Sequence, residues 1–251
     1  EVEAARVLGE DTLERQRRVR GEDHPNTLIT ASNLTNQLAA LGEVEAARAL
    51  AEDTLERQRR VRGEDHPDTL RTASNLAINL AALGEVEAAR VLGEDTLERQ
   101  RRVRGEDHPN TLITATGLAI RLAALGEVEA ARVLGEDTLE RQRRVLGEDH
   151  PDTLITASNL AIWLAALGEV EAARVLGEGS LERRRRVLGE DHPDTLGTAS
   201  NLAIWLAALG EVEAARVLGE DTLERRRRVL GEDHPNTLNT ASILNGLRGN
   251  V

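Results

Sequence analysis

Six histidines offer the most obvious chemistry. His24, His66, His108, His150, His192 and His234 each end a Gly-Glu-Asp-His run and precede a proline. An imidazole beside two carboxylates could bind a metal or move protons. The spacing argues against both, because the histidines recur every 42 residues. Packed helices lie about 8–10 Å apart. Histidines on adjacent copies would stand too far apart to share a zinc at about 2.0–2.1 Å per ligand. An active site is singular, whereas every candidate acid here recurs from copy to copy. No glycine-rich phosphate loop, nucleophile elbow or paired-carboxylate constellation is visible. The reading is therefore no enzyme, no metal and no cofactor, with each histidine capping a helix start.

Three other residue sets could recognise a partner. Asn33, Asn75, Asn159 and Asn201 recur in register, with Ser32, Ser74, Ser158 and Ser200 beside them and Gly117 and Ile243 interrupting the series. An amide donates and accepts, so it can satisfy both groups of a peptide unit. Four residues later stand Gln37, Asn79, Arg121, Trp163 and Trp205, which helical spacing places on the same side as the asparagines. Trp163 and Trp205 could form an apolar shelf of the kind that anchors interfaces; the alternative is that they fill gaps between repeats. A second variable position reads Ile29, Arg71, Ile113, Ile155, Gly197 and Asn239. The runs Arg183–Arg186 and Arg225–Arg228 would fan around a helix as a solvated, internally paired face rather than one basic patch.

Composition narrows the field. The 251 residues include no Cys, Met, Phe or Tyr, and Trp163 and Trp205 are the only aromatics. There is no disulfide framework and no thiolate chemistry. No apolar run approaches the roughly 18–20 residues that span a bilayer, and no signal peptide opens the chain, so the expected setting is cytoplasmic, away from membranes. The net charge of −12 argues against nucleic acid, whose phosphates reward positive charge.

These residues must be positioned by a repeat. Gly-Glu-Asp-His-Pro begins at Gly21, Gly63, Gly105, Gly147, Gly189 and Gly231, with no insertion between copies. Each unit reads as two helices. Helix A starts at the proline, which suits the first helical position. Its apolar face is Leu70, Ala73, Leu76, Ala77, Leu80 and Leu83, and Gly84 ends it. Helix B runs from Glu85 to about Arg104. Its stripe is Val86, Ala89, Leu92, Thr96, Leu97 and Val103, with acids early and arginines late to complement the helix dipole. The expected organisation is a single array over 1–251: helix B at 1–20, A–B pairs at 25–62, 67–104, 109–146, 151–188 and 193–230, and a last helix A at 235–247. Neither end reads as a polar cap, which suggests a fragment of a longer protein.

Gly93 sits inside helix B, as do Gly9, Gly135, Gly177 and Gly219, while Ala51 takes the equivalent place in the second copy. A glycine there costs about 1 kcal/mol against alanine. Either neighbouring helices cross closely at this point or the glycine is merely tolerated.

The segment Asn159–Leu176, NLAIWLAALGEVEAARVL, resembles the tetratricopeptide repeat. The 42-residue period with its Asp-His-Pro loop is similar to the kinesin-light-chain subtype and to repeat arms of bacterial and fungal signalling NTPases of the NB-ARC type. Two positions depart from that family: Gly93 replaces a usual aromatic and Thr96 a usual alanine. The resemblance implies an all-α fold, a right-handed α-solenoid of stacked antiparallel helix pairs with helix A lining the concave face. It also implies an asparagine ladder that grips the backbone of an extended peptide, against the alternative that the asparagines bond between repeats.

The favoured reading is a protein–protein interaction scaffold holding an extended peptide or partner helix on the concave helix A face. Asn33, Asn75, Asn159 and Asn201 would supply affinity; Arg71, Arg121, Trp163 and Trp205 would supply selectivity. The alternatives are a self-associating assembly or sensor arm of a larger signalling NTPase, joined through unsealed ends as a homo-oligomer, and a designed consensus array without a natural ligand.

Overall fold

The computed structural model describes residues 2–248, which form twelve helices and, among the described residues, no strand. The B helices are α1 (Val2–Arg20), α3 (Val44–Arg62), α5 (Val86–Arg104), α7 (Val128–Val145), α9 (Val170–Leu188) and α11 (Val212–Leu230). The A helices are α2 (Pro25–Ala40), α4 (Pro67–Ala82), α6 (Pro109–Ala124), α8 (Pro151–Ala166), α10 (Pro193–Ala208) and α12 (Pro235–Arg248).

The histidines act as helix caps. The Nδ1 of His24, His66, His108, His150 and His192 accepts a hydrogen bond from the backbone N–H two residues on, at 3.1–3.2 Å. Each satisfies one of the N–H groups that a helix start leaves without an internal partner. Proline follows at the first helical position, where a missing N–H costs nothing. At the other end Gly84 takes φ +80°, a left-handed turn that only glycine enters freely. Its N–H donates to Ala81 O and the N–H of Glu85 to Leu80 O, so carbonyls left over by helix A are used as helix B begins.

The chain divides into two compact units, Glu1–Gly126 and Glu127–Val251. Within the first, α1 to α6 pack each on the next in chain order; α2 also touches α4, and α4 touches α6. The second repeats the scheme with α7 to α12, with α8 touching α10 and α10 touching α12. Among the described residues of each unit, A helices contact A helices while no B helix contacts the next B helix. The A layer is thus the more closely spaced one, and it lies on the inner side of each unit.

The core is thin and aliphatic. Leu13, Ala31, Leu34, Leu38 and Ala47 form one buried cluster and Ala51, Leu55, Ala73, Leu76, Leu80 and Ala89 another. Ala47, Ala89, Ala131, Ala173 and Ala215 have no exposed surface; a methyl there lets the B helix settle close to its A partner. The expected stripes need two corrections. Val103 is exposed, and Leu83, Val86 and Leu92 are only half-buried. Conversely Gln58, Gln100 and Gln142 are fully buried. Gln58 Nε2 donates to Ser32 Oγ at 3.3 Å, and Ser32 shares a 2.8 Å hydrogen bond with Thr72 Oγ1. Gln100, Ser74 and Thr114 repeat this at 3.3 and 2.9 Å. A buried polar seam therefore ties successive repeats, and Ser32 and Ser74 beside the ladder belong to it.

Candidate recognition face

The inner face of each A helix carries residues spaced by four, then three. In the first unit these are Ile29, Asn33 and Asn36 on α2, Arg71, Asn75 and Ile78 on α4, and Ile113, Gly117 and Ile120 on α6. In the second they are Ile155, Asn159 and Ile162 on α8, and Gly197, Asn201 and Ile204 on α10. Asn33 is exposed, and Asn75, Asn159 and Asn201 are partly so. The amides also serve the fold: Asn75 Nδ2 donates to Asn36 Oδ1 at 2.8 Å, linking α4 to α2, and Asn159 Nδ2 donates to Ile155 O at 3.0 Å. Arg71 is half-buried and its Nη2 lies 3.3 Å from Asp68 Oδ1 on its own helix.

Of the isoleucines, Ile113 and Ile155 belong to the second variable position, whereas Ile78, Ile120, Ile162 and Ile204 were not anticipated. Ile155, Ile162 and Ile204 are 40%, 44% and 42% exposed. Large aliphatic groups held in solvent at fixed spacing make a natural contact surface. The sequence carried a signal for them: isoleucine stands three residues after the asparagine position at 78, 120, 162 and 204.

The tryptophans lie elsewhere. Trp163 and Trp205 are 5% and 7% exposed, so the expected apolar shelf does not form. Each indole turns away from the inner face into the preceding B helix. A Cβ built on Gly135 would stand 2.6 Å from Trp163 Cζ3, and one on Gly177 2.6 Å from Trp205 Cζ3. Gly9 faces Gln37 and Gly93 faces Arg121 in the same way, at 2.7 and 3.0 Å. The mid-helix glycine thus stands where the neighbouring helix comes so close that only a tiny side chain fits, as one of the two readings expects, and what approaches it is a side chain. At Gly9, Gly93, Gly135 and Gly177 it makes the notch that receives the variable side chain of the following A helix, while Gly219 faces Leu244. Where that side chain is the short Asn79, Ala51 replaces the glycine.

Arg121 occupies such a notch and is 5% exposed. Its Nε has no hydrogen-bond partner among the described residues, and burial pushes the guanidinium down to about 10, since a cation is disfavoured away from water. Two arginines of the four-residue runs are also buried, which corrects the expectation of a wholly solvated face. Arg184 donates to Asp194 O and Leu154 O, at 2.9 and 3.2 Å. Arg226 donates to Asn236 O, Leu196 O and Thr240 Oγ1, at 2.8, 3.1 and 2.5 Å. They take the place of the seam glutamines, and burial holds both below the ordinary arginine range.

On the outer edge, Asp65 accepts from Arg102 Nη2 at 2.7 Å and from Arg99 Nη1 at 3.2 Å. Asp23 pairs with Arg60 and Arg57, and Asp191 with Arg228 and Arg225. No group of His, Asp and Glu among the described residues could hold a metal ion, and none of these helices is long and apolar enough to cross a membrane.

Paired helices, glycine-ended A helices and an inner A layer define a helical-repeat protein. The chain belongs to the tetratricopeptide repeat family, whose patterns match residues 36–102 and 153–227 in one form and 1–26 and 111–152 in another. No curated protein matches it. Among solved structures it is similar to the Podosopora anserina kinesin-light-chain protein of nearly identical TPR-like repeats, with 28% identity over 82% of this chain and 98% of that one and a TM-score of 0.70. The Pyrococcus horikoshii signal transduction ATPase with a tetratricopeptide repeat sensor shares the fold, with TM-score 0.77 and 14% identity over 98% of this chain and 37% of that one. So does YrrB, a TPR protein with an unusual peptide-binding site, with TM-score 0.56 and 15% identity over 92% and 97% of the two chains.

Proposed function

We propose that the chain is a protein-interaction scaffold whose inner A-helix face holds an extended peptide or partner helix. The observation that carries this reading is the exposed stripe of Ile155, Ile162 and Ile204 alternating with Asn159 and Asn201. Apolar groups supply burial and amides supply backbone hydrogen bonds, the two ingredients of peptide recognition. The peptide-binding site described for YrrB supports the reading by analogy of fold. Selectivity falls to the isoleucines and Arg71 rather than to the buried tryptophans.

The test is a random-peptide display selection on the array, followed by affinity measurement on the double variant Asn159→Ala, Asn201→Ala. Loss of about tenfold or more in affinity, with the circular dichroism unchanged, is expected for charge-free amide contacts to a peptide backbone. Undiminished affinity in a folded variant would remove the ladder from the binding face.

A second reading, self-association, draws on Val7 and Leu8 of α1 and Leu238 of α12, which are exposed. Exposed aliphatic groups can pair between copies. Light scattering decides it: a molecular mass that rises with concentration supports association, and a strict monomer at high concentration refutes it.

A further inference from the structure

We propose that the second unit binds a small aliphatic carboxylate in an open cavity along α9, with Gly179 and Arg183 at its charged end. None of Ile155, Asn159, Ile162, Asn201 and Ile204 lines this cavity. The site is therefore separate from the inner A-helix face and does not rest on the scaffold reading.

The first ground is a departure confined to one copy. Asp11, Asp53, Asp95, Asp137 and Asp221 share one position of the B helices, and Gly179 replaces them in α9. A glycine inside a helix is unfavourable. Gly135 and Gly177 are explained by the indoles they receive, but Gly179 receives nothing. Apart from its own helix backbone, a Cβ there would meet only Arg183 Nη1, at 3.8 Å. Packing does not ask for this glycine. Its effect is to leave space beside a guanidinium.

The second ground is the donor that this substitution frees. Elsewhere the same arginine gives its Nε–H to the aspartate four residues earlier. Arg57 donates to Asp53 at 2.8 Å, and Arg99, Arg141 and Arg225 donate to Asp95, Asp137 and Asp221 at 2.9 Å. Arg183 holds this place in α9 without that carboxylate. Its Nη1 turns to Gly179 O at 3.3 Å and its Nη2 meets Glu148. Its Nε lies 3.8 Å from Asp149 Oδ1, beyond hydrogen-bond reach. A ligand carboxylate in the space over Gly179 would complete the pair that the other copies build from their own side chains.

The third ground is the lining. The cavity measures about 940 Å³, within the roughly 300–1,000 Å³ of small-molecule sites. Ala172, Val175 and Leu176 of α9, with Leu154 of α8 and Leu209 just past α10, give it apolar walls. Ser180, where other copies have threonine, trims a methyl from the same wall. Ala172, Val175, Gly179 and Arg183 follow at three and four residues, so apolar wall and guanidinium share one side of the helix. From Ala172 to Arg183 the helix rises about 16 Å, room for an alkyl chain headed by a carboxylate. Arg143 of α7 adds a second cation to the lining. Of the carboxylates there, Glu148 is matched by Arg183 and Glu171 by Arg174. Glu169 stands at the start of α9, the end away from Arg183.

Calorimetric titration of the whole chain with octanoate, below its micelle-forming concentration, tests the site. One octanoate should bind per chain. Hexanoate should bind about tenfold more weakly, the worth of two buried methylenes. Octanol should bind at least tenfold more weakly, because it lacks the charged oxygens. Gly179→Asp rebuilds in α9 the pair that Asp95 and Arg99 make in α5, so the fold is expected to hold. It should weaken octanoate at least tenfold and octanol much less, since its own carboxylate then occupies Arg183. Arg183→Gln should bring octanoate down to the level of octanol. By NMR, the Arg183 Nε–H resonance should shift on addition of octanoate while that of Arg99, already paired, stays in place. Octanol binding as tightly as octanoate, several equivalent sites per chain, or an octanoate affinity unchanged in Gly179→Asp would overturn the site. So would the absence of any binding heat together with an unmoved Arg183 resonance.

Discussion

The Trp163 indole fills a notch cut by Gly135: a Cβ on that glycine would stand 2.6 Å from Trp163 Cζ3. The pair joins α7 to α8, and Gly177 and Trp205 repeat it between α9 and α10. A glycine inside a B helix is unfavourable locally, and the following A helix gains from it by burying an aromatic ring.

Gly135→Ala should therefore destabilise the protein by about 1–3 kcal/mol, the usual cost of overpacking, although alanine is the better helix former. Combining it with Trp163→Asn recreates the Ala51 and Asn79 combination of the second copy and should cost less than the sum of the two single changes. Chemical denaturation of the four proteins in the cycle measures the coupling. Strict additivity would show that the two side chains do not share the notch.

Trp163→Ala should cost about 3–5 kcal/mol. Because Trp163 and Trp205 are the only aromatics and both are buried, their emission should be blue-shifted and poorly quenched by iodide in the native state. Emission at the wavelength of free tryptophan would contradict their placement.

Arg121→Gln should raise stability at neutral pH by about 1–3 kcal/mol, since it removes a buried charge that has no partner. The sign with pH follows from the depressed folded-state value of about 10. The unfolded chain holds the proton more tightly, so the penalty is full below about 10 and fades as pH rises above it. The advantage of the variant should shrink accordingly in alkaline denaturation curves. A variant less stable than wild type at pH 7 would mean that the guanidinium has acceptors after all.

His108→Ala should lose about 1 kcal/mol, the ordinary worth of an N-cap, while His108→Asn should keep most of it. Burial, followed by the nearby Arg104 charge, lowers the His108 value. The unfolded chain then takes up the proton first. The contribution is present above the ordinary histidine value and is lost as pH falls through the folded one. Wild type should lose stability more steeply than His108→Asn as pH falls below the ordinary histidine value; parallel slopes would dismiss the cap as a titrating element.

Hydrogen bonds from Arg102 and then Arg99 hold the Asp65 carboxyl below the usual range; arginine neighbours do the same for Asp23 and Asp191. A group with a lowered folded value stabilises above its unfolded value and loses that contribution as pH falls through the folded one. The melting temperature should drop as pH is taken below the ordinary carboxylate range, and Asp65→Asn should flatten that drop. Molar salt at pH 7 should weaken the same exposed pairs. A slope unaffected by Asp65→Asn would show that the outer lattice adds nothing.

Much of the fold could be read along the chain because its signals are local. The His-Pro step, the glycine that ends each A helix and the three-and-four spacing of Leu and Ala are each settled within one turn of helix. The period then repeats the answer, so α4 and α5 begin and end within a residue or two of their expected limits. What no local pattern decided is which flank of an A helix meets a neighbour. Ile162 and Trp163 are adjacent in sequence and so point about 100° apart around the helix, one on each side of the Asn159 direction. Spacing alone put Trp163 beside the asparagine; the position of α7 put it in the core and left Ile162 in solvent. Gln100 and Arg226 were opaque for the same reason. A polar side chain reads as exposed until a neighbouring helix brings it an acceptor, and that acceptor lies 26 residues away in Ser74 and 30 in Leu196. Sequence fixes what each turn of helix can present. Packing decides what it does present, because burial is a property of two surfaces and the chain writes only one of them at a time.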